Sequence, residues 1–165
     1  MSSLTSAPLQ PVGPGDHLRG EGPEAVVYVD LACPRCALAW TLIRELPLRL
    51  VLRHFPIASK HPRAPALHAA AEAAGMQREA AFWDLVDSIF GDQGRVDDPH
   101  LWDRARRLTL DLERFNRERR SGPVVERVRR DFEGGIRAGV AGTPAAFVDG
   151  QAVSEDIAES LRSLR

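Results

Sequence analysis

The sequence has few of the features that mark membrane proteins and disulfide-stabilised secreted domains. Its 165 residues include only two cysteines, too few for a disulfide framework. No apolar run reaches the roughly 18 residues that a membrane-spanning helix needs. A chain of this length can bury a hydrophobic core without such support, so we expect an ordinary globular domain.

The charges of the chain nearly cancel. Lysine and arginine together number 22, aspartate and glutamate number 23, and the formal net charge is -1. Lysine occurs once, at Lys60, and arginine supplies the other positive charges. Without a basic excess there is no general electrostatic attraction to nucleic acids or to acidic membrane surfaces. We therefore expect neither a nucleic-acid nor a membrane partner, while the oligomeric state stays open.

The first 20 residues are rich in proline, glycine and serine and are predicted to form a flexible N-terminal segment. They lack the basic stretch followed by an apolar run that defines a secretory signal peptide. We therefore expect a cytoplasmic protein. In a reducing compartment, an isolated pair of cysteines is more often catalytic than structural.

The two cysteines lie together in Cys33-Pro34-Arg35-Cys36, which is the spacing of a reversible disulfide. A strand-like apolar run at 25–29 precedes the motif, and apolar residues at helical spacing follow it. Pro34 suits the first helical position, because its missing N–H costs nothing there. Cys33 is therefore the predicted N-cap of a helix, and Cys36 lies one turn inside it.

This placement predicts different roles for the two cysteines. Unpaired N–H groups and the positive end of the helix dipole favour a thiolate at Cys33, and Arg35 adds a positive charge beside it. Cys33 is therefore the predicted nucleophile. Residues three apart on a helix are close enough for a disulfide, so Cys36 is the predicted resolving thiol, which attacks a mixed disulfide at Cys33 and releases the partner.

Zinc binding is the main alternative for two cysteines at this spacing. A structural zinc site takes four ligands, and the sequence has no second Cys-x-x-Cys pair. The five histidines also lack the short spacing of a zinc-binding pair. We therefore expect no metal and no cofactor.

His54 is interpreted as a buried, hydrogen-bonded residue rather than a proton donor, and Trp40, Trp83 and Trp102 as core residues.

The rest of the sequence predicts an α/β frame interrupted by helices. Residues 48–55 alternate basic and apolar side chains and predict a second strand. Residues 66–139 show helical periodicity, with helices expected to end at Gly75 and Gly91 and a bend expected at Gly134-Gly135. Beta character returns near the C-terminus. The elements predicted there are a strand at 144–148, a tight Asp149-Gly150 turn, an extended segment at 151–153, and a helix from Ser154 to Leu164 with Ser154 as its N-cap.

This order of elements and several motifs resemble the DsbA-like form of the thioredoxin fold. The resemblance extends from about Asp16 onward, and Gly139-Val140-Ala141-Gly142-Thr143-Pro144 is its most specific segment besides the cysteine motif. The other segments that carry it are Asp30-Leu31-Ala32 directly before the cysteine motif, Arg53-His54-Phe55-Pro56, Phe82-Trp83-Asp84 and Leu110-Asp111-Leu112-Glu113-Arg114-Phe115.

The resemblance implies a thioredoxin fold with an α-helical domain inserted between the second strand and the cis-proline strand. In such proteins the proline that corresponds to Pro144 is cis and lies against the disulfide, and the backbone of the preceding residue, here Thr143, pairs with the partner peptide. The implied division is a flexible segment at 1–20, a thioredoxin-like domain at 21–55 and 140–165, and an inserted helical subdomain at 56–139. Beside the catalytic Cys33 and Cys36, the implied supporting residues are Pro34, Arg35, Thr143 and Pro144.

The sequence departs from the family at a buried position. The family carries an acidic residue six positions before the nucleophile, beneath the resolving cysteine, as a proton relay; here that position is Val27. Asp30 is the nearest acid, but an odd shift along a strand points a side chain to the opposite face. Arg35 also stands where His or Tyr is commoner in the family.

The expected function is that of a thiol-disulfide oxidoreductase that acts on protein or low-molecular-weight thiol and disulfide partners. One alternative is a glutathione-linked transferase or isomerase of the kappa type, which shares the inserted helices but usually has Ser at the nucleophile position and lacks the second Cys. Another is a non-enzymatic redox-sensing module whose disulfide state switches its contacts with a partner. The sequence leaves open whether an enzyme of this kind runs as oxidant, reductant or isomerase.

Overall fold

The computed structural model describes residues 7–153 and 156–164, which form a five-stranded sheet covered by helices. In chain order the elements are β1 His17–Arg19, β2 Glu24–Val29, α1 Pro34–Ile43, β3 Arg49–His54, α2 Ala64–Gln77, α3 Glu79–Gly91, α4 Asp98–Arg107, α5 Leu112–Glu118, α6 Gly122–Arg137, β4 Ala145–Val148, β5 Gln151–Ala152 and α7 Ile157–Arg162.

The sheet has the strand order β1-β3-β2-β4-β5. Strands β2 and β3 are parallel and are connected through α1, whereas the other neighbouring pairs are antiparallel. Val27 at the centre of β2 lies opposite Leu52 of β3 and Ala146 of β4. Because β2 is paired on both sides, the turn that follows it is anchored to the middle of the sheet.

The sequence of β2 explains its central position. Its residues 25–29 are all buried, and alternate ones belong to different cores. Val27 and Val29 face the larger core, which contains Trp40 and Phe82, whereas Tyr28 faces a smaller core on the other side of the sheet. An uninterrupted apolar run is what a strand covered on both faces requires.

Helices α2 to α6 lie between β3 and β4, which confirms the predicted helical insertion. Two of the predicted breaks are wrong. Helix α2 continues through Gly75 to Gln77, and α6 runs without interruption through Gly134 and Gly135. Gly135 is required by packing, since a Cβ there would come within 2.9 Å of side-chain atoms of Phe55 and of Tyr28.

The predicted flexible segment at 1–20 is wrong at its C-terminal end. His17–Arg19 forms β1, which pairs antiparallel with β3, and the His17 side chain is buried. The predicted N-cap Ser154 lies outside the described residues. Helix α7 begins instead after Asp156, whose carboxylate accepts a hydrogen bond from the backbone N–H of Glu159. The division of the chain into a thioredoxin-like and a helical part stays a prediction.

None of the helices in the described ranges combines the length and the apolar composition that crossing a membrane requires.

Candidate active site

The cysteine motif lies where the sequence predicts it, at the turn from β2 into α1. Cys33 is the N-cap residue with an extended backbone (φ -80°, ψ 122°), and Pro34 occupies the first turn of α1. Both cysteines are free thiols. Both cysteines are buried, but Cys33 is the more exposed of the two, at 7 % against 1 % for Cys36.

Burial separates the chemistry of the two sulfurs. It raises the pKa of the Cys36 thiol to about 12, although hydrogen bonds to Thr143 and to the backbone of Asp30 act in the opposite direction. At neutral pH Cys36 therefore keeps its proton. A thiol attacks a disulfide as its thiolate, so Cys36 would have to lose this proton to a base before it could react.

The loop before β4 completes the front of the site. The peptide bond between Thr143 and Pro144 is cis, which confirms the expectation from the family resemblance. The Cys33 Sγ lies 3.8 Å from the carbonyl oxygen of Thr143 and donates a weak hydrogen bond to it. The structure therefore brings the carbonyl group of Thr143 to Cys33, while the roles of Thr143 and Pro144 stay predictions.

Asp30 organises the turn between β2 and the nucleophile. Its carboxylate accepts hydrogen bonds from the N–H groups of Ala32 (2.8 Å) and Ile57 (2.9 Å), and its carbonyl oxygen accepts one from the N–H of Cys33 (3.0 Å). Burial alone would raise the pKa of the Asp30 carboxyl, but the backbone hydrogen bonds from Ile57 and Ala32 act in the opposite direction, and the pKa lies below its usual value. A fully buried carboxylate thus fixes the backbone that carries Cys33.

Gln93, in the loop between α3 and α4, holds the same turn from the helical side. Its side-chain Nε2 donates hydrogen bonds to the carbonyl oxygens of Leu31 (2.9 Å) and Cys33 (3.0 Å). The inserted segment therefore contacts the backbone of Cys33 directly.

An apolar groove of about 770 Å³ borders the motif beside Pro144. Leu38 on α1 is 72 % exposed, and Leu42, one turn further along the helix, is also exposed. Arg35 lies at the edge of this groove. The other residues that line it are Ala39, Ala145, Val153, Asp156, Ile157 and Ala158. An exposed apolar surface of this kind is typical of a binding site.

A second polar cluster lies buried behind the site. His17, His54 and Glu72 place three potential metal-ligand atoms within 4.8 Å of one another, the one such group among the described residues. Spacing along the sequence could not reveal this group, because β1, β3 and α2 each supply one member. The three side chains satisfy one another by hydrogen bonds to Glu72, and His54 is buried and hydrogen-bonded as predicted.

The tryptophans also occupy the positions expected of core residues. Trp40 and Trp83 are buried and stack with ring centroids 6.3 Å apart, while Trp102 packs at the edge of the main core. The Trp40 indole N–H donates a hydrogen bond to Asp87 (2.7 Å).

Comparison with known proteins places the chain within a family. Residues 61–163, more than half of the chain, match the model of the DSBA-like thioredoxin domain. A Na(+)/H(+) antiporter, NhaA 1 of Salinispora arenicola, is 40 % identical over 152 residues, which are 87 % of this chain and 23 % of the antiporter. The chain thus spans about a quarter of the length of this curated relative.

Two solved structures share the fold. The thiol-disulfide exchange protein alpha-DsbA2 from Wolbachia pipientis superposes with a TM-score of 0.78 at 17 % identity, over 90 % of this chain and 84 % of that one. A thioredoxin-like oxidoreductase from Silicibacter pomeroyi superposes with a TM-score of 0.75 at 23 % identity, over 86 % and 84 % of the two chains.

Proposed function

Because the chain belongs to the DSBA-like thioredoxin domain family, we propose that it exchanges disulfides with protein or small-thiol partners through Cys33 and Cys36. One observation carries the proposal: Cys33, the more exposed of the two cysteines, lies at the N-terminus of α1, while Cys36 lies three residues further along and is almost completely buried. This is the arrangement that a nucleophile and a resolving thiol need.

The exchange proceeds in two steps. The Cys33 thiolate attacks one sulfur of a partner disulfide, forms a mixed disulfide and releases the other partner sulfur as a thiolate. Cys36 then loses its proton and attacks the Cys33 sulfur, which forms the Cys33–Cys36 disulfide and releases the second partner sulfur. The partner is reduced by two electrons and the protein is oxidised; the reverse sequence oxidises a partner dithiol.

The groove and the Thr143 carbonyl support a polypeptide as partner. A segment in an extended conformation beside Cys33 could form backbone hydrogen bonds with the loop at Thr143 while its apolar side chains enter the groove along Leu38 and Leu42. The exposed Arg35 at the groove edge favours partners that carry acidic residues close to their disulfide.

Insulin reduction with a thiol donor tests the activity, and a titration against glutathione measures the reduction potential. We expect turnover that disappears in Cys33→Ser. A potential well above the cytosolic poise of roughly -220 to -320 mV would identify an oxidant, and one near about -270 mV a reductant. The cytoplasmic location stays a prediction, which the redox state of the two cysteines in fractionated cells would test.

A second candidate function follows from the similarity to the Salinispora arenicola antiporter. Because a closely similar sequence makes up about a quarter of that antiporter, we also propose that domains of this kind serve as redox-sensing modules of a larger protein. Absence of insulin turnover, together with partner capture that depends on the Cys33–Cys36 disulfide, would favour this second function. Turnover with free glutathione alone would instead favour the glutathione-linked alternative.

A further inference from the structure

The backbone N–H of Leu31, within the turn that carries the nucleophile, donates a hydrogen bond to His68 Nε2 at 2.9 Å. Both residues are fully buried. An amide N–H can only donate, so Nε2 must present its lone pair. A neutral His68 therefore carries its hydrogen on Nδ1.

The position of the hydrogen on His68 determines the tautomer of His54. His68 Nδ1 lies 2.7 Å from His54 Nδ1, and His68 is the donor in that pair because its hydrogen is on Nδ1. His54 accepts at Nδ1 and must carry its own hydrogen on Nε2. That nitrogen lies 2.8 Å from Glu72 Oε2, to which it donates. The two imidazoles thus have opposite tautomers.

The chain of hydrogen bonds ends at the protein surface. Both ring nitrogens of His17 face carboxylate oxygens, Nε2 toward Glu72 and Nδ1 toward Glu79 at 2.8 Å. Carboxylates accept only, so both nitrogens donate and His17 is an imidazolium between two anions. Phe82 stacks on its ring with centroids 3.5 Å apart and covers one face, whereas Glu79 is exposed.

We propose that His68 is a positioning residue for the redox-active turn, held in its acceptor tautomer by the hydrogen-bond chain through His54, Glu72 and His17. The turn follows the middle strand of the sheet, and the amide of Leu31 lies two residues before Cys33. Fixing that amide helps to hold Cys33 at the N-terminus of α1. The effect of His68 on catalysis rests on the proposed function, whereas the donor and acceptor roles in these hydrogen bonds do not.

The charges around His68 agree with a neutral ring. Burial lowers the pKa of His68 to about 4, and the Asp30 carboxylate, 3.9 Å from Nε2, acts in the opposite direction. Asp131 of α6 accepts a hydrogen bond from the backbone N–H of His54 at 3.1 Å. A proton added to His68 would lie on Nε2 and would place two donors against each other, since the Leu31 N–H points at the same nitrogen.

The donor and acceptor roles in these hydrogen bonds also argue against a metal ion bound by His17, His54 and Glu72. A cation would need the lone pair of His54 Nε2, so the hydrogen of His54 would move to Nδ1. His68 would then have to accept at Nδ1 and carry its hydrogen on Nε2, against the N–H of Leu31. The hydrogen-bond chain and a metal therefore exclude one another.

Nitrogen-15 NMR of the histidine rings tests the direction in the wild-type protein at pH 7. We expect a protonated Nδ1 and a bare Nε2 for His68, the reverse for His54, and two protonated nitrogens for His17. Added Zn²⁺ should leave these signals unchanged. A hydrogen on His68 Nε2, or stoichiometric zinc shifts at His17 and His54, would overturn the proposal.

Three variants test the positioning role. His68→Gln keeps one acceptor for Leu31 and one donor for His54, whereas His68→Leu keeps neither, and exposed His100→Gln serves as control. We expect alkylation of Cys33 to slow about tenfold in His68→Leu, the equivalent of one lost buried hydrogen bond, and to stay within about twofold in the other two.

Circular dichroism confirms that each variant is folded, and the exchange rate of the Leu31 amide is measured alongside. Unchanged alkylation and amide protection in His68→Leu would refute the positioning role, as would His68→Gln behaving like His68→Leu. Wild-type protein with the expected tautomers but without disulfide exchange would instead refute only the proposed function.

Discussion

Gln93 donates a hydrogen bond from its side-chain Nε2 to the carbonyl oxygen of Cys33 at 3.0 Å, so a loop between two inserted helices holds the backbone of the proposed nucleophile. The same nitrogen bonds the carbonyl oxygen of Leu31. Asp30, His68 and Gln93 together satisfy the polar backbone groups of the turn from three directions. The backbone around Cys33 is therefore held by residues outside the cysteine motif.

Replacing Gln93 should slow disulfide exchange. Gln93→Ala leaves two carbonyl oxygens without their donor and should cost about 1 to 3 kcal/mol of unfolding free energy. Gln93→Glu should be worse, because a carboxylate would face two acceptors. Gln77→Ala is the matched control, since Gln77 also makes two hydrogen bonds, to the backbone of Asp111, far along the chain from the motif. Stopped-flow reduction of a small disulfide measures the rate. An equal loss of rate in both alanine variants would contradict a specific role for the Gln93 hydrogen bonds.

The two cysteines should behave differently when replaced singly. Cys36→Ser should accumulate mixed disulfides at Cys33, because the partner is captured but not released. Cys33→Ser should capture almost none, since Cys36 is 1 % exposed and burial raises its pKa to about 12. Mass spectrometry and non-reducing gels after incubation with oxidised glutathione or insulin give the yields. Similar trapping by both variants would show that the roles are assigned wrongly.

Arg35 should contribute modestly to the reactivity of Cys33. Its charge is exposed beside the motif and is screened by salt, so Arg35→Ala should slow alkylation of Cys33 about twofold at low ionic strength. The effect should fade as salt is added. Arg44→Ala, at the other end of α1, is the control. A loss that persists in high salt would indicate that Arg35 acts through packing rather than charge.

Stability should fall as the pH drops from 7 toward 5 because of His68. Burial lowers the pKa of His68 to about 4, so the unfolded chain binds a proton below pH 6.5 that the folded protein does not. The full effect, reached near pH 4, is about 3 kcal/mol. The pKa of His17 is raised, so its effect on stability falls above this pH window. The pKa of Glu72 is lowered, so its effect falls below it. Urea titrations should show a much flatter pH dependence for His68→Gln; an unchanged slope would mean that His68 is not the group that titrates.

Two adjacent glycines in α6 should respond in opposite directions. Gly135→Ala forces a Cβ to within 2.9 Å of the Tyr28 and Phe55 rings and should cost about 1 to 3 kcal/mol. A Cβ at Gly134 meets nothing within 4 Å, so Gly134→Ala should stabilise the helix by about 0.5 to 1 kcal/mol. Thermal unfolding of the pair is the measurement, and equal effects would contradict the packing of α6 on the sheet.

The sequence alone determines the elements whose causes are local. Within a helix Pro34 fits only the first turn, and an apolar run at 25–29 is typical of a strand buried on both faces. A Cys-x-x-Cys pair at their junction indicates redox chemistry or a zinc site. The resemblance adds the loop at Thr143 and Pro144, which the structure brings to Cys33. These features can be predicted from residues adjacent in the sequence or from one specific motif.

Local signals failed where packing overrides them. Gly75 and Gly135 are poor helix residues in isolation, yet both lie within helices. Close packing explains the glycines, since an added Cβ would meet Phe82 at Gly75 and the Tyr28 and Phe55 rings at Gly135. Residues 17–19 are a short polar stretch with little strand character, and only pairing with β3 makes them a strand. Asp30 was expected on the opposite face, but β2 ends before it and the turn buries it under the motif.

The tertiary structure alone decides what surrounds the cysteines. His17, Glu72 and His68 come from β1 and α2, and Gln93 comes from a loop 60 residues after Cys33, so no spacing in the sequence brings them together. Each is satisfied by a donor or acceptor far away in the chain, and hydrogen bonds depend on distance and direction in space. The sequence therefore identifies the cysteine pair, whereas the fold determines which buried groups hold the backbone around it.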